Sequence, residues 1–94
     1  MNEAASYAVE YSPAAERGLR RLPPGDAART RGPVLALGLE PRPYGAARVR
    51  GTDFWRIRVG QLRIVCVIDE VERRVVVVRV ARRSESTYRR LRDE

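Results

Sequence analysis

A chain of 94 residues supports one domain and buries roughly 60 to 65% of the surface that its unfolded form exposes. Its formal charge is +7, carried by nineteen arginines without a single lysine, a balance that favours polyanions such as nucleic acid over acidic small molecules. The absence of histidine excludes an imidazole base, a Ser/His triad and a His-ligated zinc.

The preference for arginine accords with a genome rich in G and C, because the codons of arginine, alanine, glycine and proline share that bias. It does not dictate where individual arginines fall. The single cysteine, Cys66, excludes an intramolecular disulfide, and its place in the apolar run from Leu62 to Ile68 reads as a small buried hydrophobe. No charged segment followed by an apolar one opens the chain, and no uncharged run reaches the roughly 18 residues of a membrane span. A cytoplasmic protein without membrane association is expected. Residues 1–94 read as a single domain, with 1–5 and 89–94 flexible.

In chain order, Tyr7, Val9 and Tyr11 alternate as in a short strand. Ser12 can cap a helix that has Pro13 at its first position and Ala15, Leu19 and Leu22 at helical spacing. Pro23-Pro24 ends it. Asp26 is a second capping candidate for a segment through Leu39, in which Leu35 and Leu39 can face a core and Gly32-Pro33 predicts a kink or break. Glu40 to Gly45 is a proline-rich loop. Three strands follow: Phe54 to Val59, a turn at Gly60-Gln61, Leu62 to Ile68, a polar turn through Asp69 to Arg73, and Arg74 to Ala81. Ser84 to Arg92 can form a short polar helix. The resulting fold class is α+β, two layers, with two N-terminal helices packed on one face of an antiparallel sheet.

Alternation places Trp55, Ile57 and Val59 opposite Arg56 and Arg58. On the last strand it groups Val76, Val78 and Val80 against Val75, Val77 and Arg79. With helices on one side only, Arg56, Arg58, Arg63 and Arg79 can converge on the open face, and Arg82, Arg83 and Tyr88 follow just beyond. Guanidinium groups fork onto phosphate oxygens and stack on bases while staying charged, which suits RNA. Charged residues on an outer sheet face are equally an ordinary device for solubility. The pattern fits RNA and DNA alike. Tyr88 can stack on a base or pack the final helix, and Trp55 can stack on a base or fill the core.

The sequence resembles the RelE/ParE family of bacterial toxins. The likeness runs from Tyr7-Ala8-Val9-Glu10-Tyr11-Ser12 through Glu40-Pro41-Arg42-Pro43 and Val49-Arg50-Gly51 to Tyr88, and is most specific in Trp55 to Val65, Asp69 and Val78-Arg79-Val80-Ala81-Arg82-Arg83. The resemblance implies a toxin of a type II toxin-antitoxin pair with a cognate antitoxin over its active face. It implies a metal-independent, cofactor-free endoribonuclease that cuts mRNA in the ribosomal A site, with the RNA 2′-hydroxyl attacking the adjacent phosphate. Arg58, Arg63, Arg83 and Tyr88 stand at positions similar to the family's catalytic ones, and Arg56, Arg79 and Arg82 are the accompanying RNA-binding candidates. Arg56 and Arg58 replace lysines of some members, and arginine stays protonated, so a general-base role for Arg58 is chemically poor. Glu85 is a candidate base or a plain surface carboxylate. The alternative within the family is a ParE-like gyrase poison, which needs no phosphate-cleaving set.

Overall fold

The period-two segments become strands of one five-stranded sheet in the computed structural model, which describes residues 6–83. The elements are β1 (Ala8–Tyr11), α1 (Pro13–Arg21), α2 (Pro24–Ala36), β2 (Ala47–Arg48), β3 (Trp55–Val59), β4 (Leu62–Asp69) and β5 (Arg74–Arg82). Their order across the sheet is β1-β5-β4-β3-β2. The expected meander is present as β3-β4-β5, while β1 pairs parallel to β5 and makes the sheet mixed rather than wholly antiparallel. A parallel partner needs a long crossover, and the two helices lie in the chain that separates β1 from β5.

Helix α1 begins as its sequence predicts: the Ser12 hydroxyl accepts from the Ala15 amide at 3.1 Å and Pro13 sits at the first position. Ala15 is fully buried, with Leu19 and Leu22 packed around the same core. Helix α2 departs from expectation at three points. It starts at Pro24, so Asp26 lies inside the first turn and caps nothing. It runs through Pro33 with no break in the helix, although the proline there removes the hydrogen bond to the Arg29 carbonyl. Its buried stripe is Asp26, Thr30, Val34 and Leu37, whereas Leu35 and Leu39 are 67% and 69% exposed. Two polar members disguise that stripe in the sequence. The Thr30 hydroxyl is satisfied by the Ala27 carbonyl at 2.8 Å.

Ala15, Val34 and Leu37 meet Ile57, Ile64, Cys66, Val75, Val77 and Val80 in one core between helices and sheet. Cys66 is buried there as expected, and burial pushes its thiol up to about 11. The faces of β5 differ from simple alternation. Val65 pairs with Arg79 but Cys66 pairs with Val77, so Val78 is an extra residue, a β-bulge. Before the bulge Val75 and Val77 face the helices, and after it Val80 does. The grouping of Val76, Val78 and Val80 on one face is therefore overturned.

Gly18 lets α1 press onto this strand, because a Cβ there would stand 2.7 Å from the Val80 carbonyl oxygen. Gly18→Ala would gain helix propensity of about 1 kcal/mol, yet the contact is with backbone that cannot rotate away. A net destabilisation of about 1 to 3 kcal/mol is expected, read as a lower urea midpoint at unchanged slope.

Candidate nucleic-acid interface

Pairing register decides which side chains share the face opposite the helices. One row across the sheet is Ala47, Arg56, Val65 and Arg79; the next is Arg58, Arg63 and Ala81. Neighbouring strands lie about 4.8 Å apart, so four guanidinium stems rise from a small patch at the β3–β4 turn. The far end of the same face is balanced instead. There Arg74 stands opposite Asp69 and 3.5 Å from the Glu10 carboxylate. Acidic side chains are therefore built into that end of the face.

Within the patch the arginines are not equivalent. Arg58 projects into solvent and Arg56 is half-buried. Arg63 is 4% exposed, and its Nη1 donates to the carbonyls of Gly60 at 3.2 Å and Leu62 at 3.1 Å. It braces the turn and forms a fixed cation in the floor of the patch. Arg79 is half-buried, and its Nε is enclosed without a hydrogen-bond partner. Tyr44, Gly45, Arg56, Ile57, Arg58 and Arg63 line a cleft of ≈ 290 Å³.

The structure separates two arginines that are adjacent in sequence. Arg82 pairs in register with core residue Leu62, on the helix side, and its Nη2 lies 3.3 Å from the Asp26 carboxylate. Asp26 also holds Arg29 at 3.1 Å. Arg82 therefore lies on the helix side, away from Arg56, Arg58, Arg63 and Arg79. Arg83 follows at the exit of β5, exposed, with its amide donating to the Gln61 carbonyl at 2.8 Å beside the β3–β4 turn. Tyr88, Glu85 and the helix expected over Ser84 to Arg92 lie outside the described residues, as do 1–5 and 89–94.

Trp55 faces the helix side and is occupied by cations: the guanidinium of Arg42 lies 5.0 Å and that of Arg48 5.6 Å from its ring centre. Arg42 continues to Glu70 at 2.7 Å, and Glu70 accepts the Tyr7 hydroxyl at 2.5 Å. The hydroxyl of Tyr7, and then Arg42, hold the Glu70 carboxyl below its ordinary range. This chain of contacts anchors the loop that carries Tyr44. The sequence reading did not single out Tyr44; its place in a Pro-Tyr-Gly turn was the available signal.

Two helices packed on a five-stranded mixed sheet is the architecture of solved RelE toxin structures. Residues 9–87 match the ParE toxin of type II toxin-antitoxin systems, parDE, and the chain belongs to that family. A chain of the RelBE2 toxin-antitoxin complex from Mycobacterium tuberculosis is 28% identical, with 83% of this chain and 99% of that one covered and a TM-score of 0.75. A chain of the intact E. coli RelBE complex matches at 18% identity, 85% and 100% coverage and TM-score 0.73. The archaeal RelE-RelB complex from Pyrococcus horikoshii OT3 gives 20%, 85% and 98%, and 0.71. These last two show the fold alone. No curated protein matches the sequence. Among the described residues, no helix is long and apolar enough to cross a membrane, and no three His, Cys, Asp or Glu side chains group as a metal site would require.

The Asp26–Arg82 contact joins the start of α2 to the end of β5. Its carboxylate is largely buried while Arg82 is 59% exposed, so screening limits its worth. Asp26→Asn is expected to cost about 1 to 2 kcal/mol. A double-mutant cycle with Arg82→Ala, followed by urea unfolding, should show coupling of at least about 0.5 kcal/mol.

Proposed function

We propose that this toxin is a metal-independent endoribonuclease that cuts mRNA on the ribosome in the cytoplasm, and that a cognate antitoxin silences it by covering the arginine patch. The observation carrying this reading is the convergence of Arg56, Arg58, Arg63 and Arg79 on the sheet face opposite the helices, with Arg83 beside the β3–β4 turn. In the reaction the RNA 2′-hydroxyl attacks the adjacent phosphorus and gives its proton to water or to Glu85, the candidate base, a 2′,3′-cyclic phosphate forms, and the 5′-oxygen leaves and takes up a proton from water. Arginines cannot remove the first proton, but they can neutralise the charge that develops on the phosphate.

Arg58 and Arg63 hold the scissile phosphate, Arg63 from a position already fixed by two carbonyls. Arg56 and Arg79 bind flanking phosphates. Arg83 stabilises the leaving oxygen, and Tyr88 orients or stacks the scissile nucleotide. Arg82, engaged with Asp26, takes no part in the contact set. The toxin-antitoxin complexes among the structural relatives support the antitoxin partner, whose acidic side chains would complement the patch.

The second reading is a gyrase poison, favoured by the match of residues 9–87 to the ParE toxin. Cleavage of mRNA in translating ribosomes, mapped by primer extension, separates the two. Arg83→Ala should slow cleavage on the order of 100- to 1000-fold with an unchanged circular dichroism spectrum. Tyr88→Phe should retain activity if the ring stacks and lose it if the hydroxyl acts. Intact mRNA together with gyrase trapped on cut DNA would establish the second reading instead.

RNA affinity should also fall as salt rises, because each neutralised phosphate releases counterions. Arg56→Ala should flatten that slope in a titration with single-stranded RNA. An unchanged slope would take Arg56 out of the contact set.

A further inference from the structure

Tyr44 is the most exposed large side chain among the described hydrophobic residues, with an accessible surface 108% of the reference value. It is nevertheless held by a well-defined turn. The Ala46 amide donates to the Pro43 carbonyl at 2.9 Å, and Gly45 at the third position has φ 92°, the geometry of a type II turn with its required glycine. Tyr44 occupies the second position, at the tip.

Both ends of this turn are tied down. On one side Pro41 is buried and Arg42 is pinned between Glu70 and Trp55. On the other, Ala47 enters the sheet opposite Arg56. An aromatic ring presented from an anchored turn loses little backbone freedom when it meets a ligand. The same turn forms one wall of the ≈ 290 Å³ cleft whose other walls include Arg56, Arg58 and Arg63. A flat apolar surface beside several cations, one of them, Arg63, fixed by two carbonyl contacts, matches a ligand with a flat π system joined to an anion. An unpaired nucleotide has that composition.

We infer that Tyr44 is a stacking platform for one unpaired base of a single-stranded RNA whose phosphates lie on the neighbouring arginines. The inference rests on the reading of the arginine patch as an RNA-binding surface and adds to it a residue that acts without charge. Stacking and phosphate binding differ in their response to salt. Removing an arginine changes the number of released counterions, whereas removing the ring does not.

The experiment uses the full chain and a 2′-O-methyl RNA oligonucleotide, which cannot supply the attacking hydroxyl, carrying 2-aminopurine at successive positions. Tyr44→Ala should weaken binding about 5- to 100-fold, abolish quenching at one position, and leave the slope of log affinity against log salt unchanged. Tyr44→Phe and Tyr44→Trp should keep both affinity and quenching. Gly45→Ala, strained at its positive φ, should reproduce part of the loss. Wild-type binding with an undiminished Tyr44→Ala variant overturns the platform and leaves the arginine reading in place. Failure of the wild-type protein to bind the RNA overturns both.

Discussion

One extra residue in β5 organises both faces of this protein. Simple alternation from Val75 and Val77 would send Arg79, Ala81 and Arg83 toward the helices and Val80 into solvent. The bulge at Val78 reverses the phase. Val80 then meets the helices at Gly18, Arg82 turns to the buried carboxylate of Asp26, and Arg79 joins Arg56 across Val65. The core of one layer and the charge of the other face thus depend on a single backbone irregularity.

A cluster of like charges on a small domain destabilises the compact state through repulsion. The fold limits this cost at the arginine that is least exposed, since Arg63 directs one nitrogen to two backbone carbonyls and thereby braces the turn between β3 and β4. Elsewhere on the face Glu10 and Asp69 surround Arg74.

The loop after α2 is held by a different chemistry. Trp55 presents its ring to two guanidinium groups, and Arg42 links that ring to Glu70 and so to Tyr7 in the segment before β1. Residues distant in sequence therefore fix the turn that displays Tyr44. The wall of the cleft is positioned by contacts made on the opposite side of the sheet, which couples its geometry to the fold.

Much of the architecture was legible in the residues themselves. The Ser12-Pro13 start of α1, the alternation of β3 around Arg56 and Arg58, and the two hairpin turns are local features, set by backbone preferences over a few residues. The buried face of α2 was not, because Asp26 and Thr30 hold core-facing positions through tertiary partners that no apolar pattern records. Nor was the parallel pairing of β1 with β5, which joins segments distant in the chain. The division between Arg82 and Arg83 also waited for the tertiary structure: their order is written in the sequence, but the side each faces depends on the phase of β5. That phase is decided by the bulge against β4 and by which valines the helices can bury, because alternation fixes relative facing along a strand and only packing fixes which face is inside.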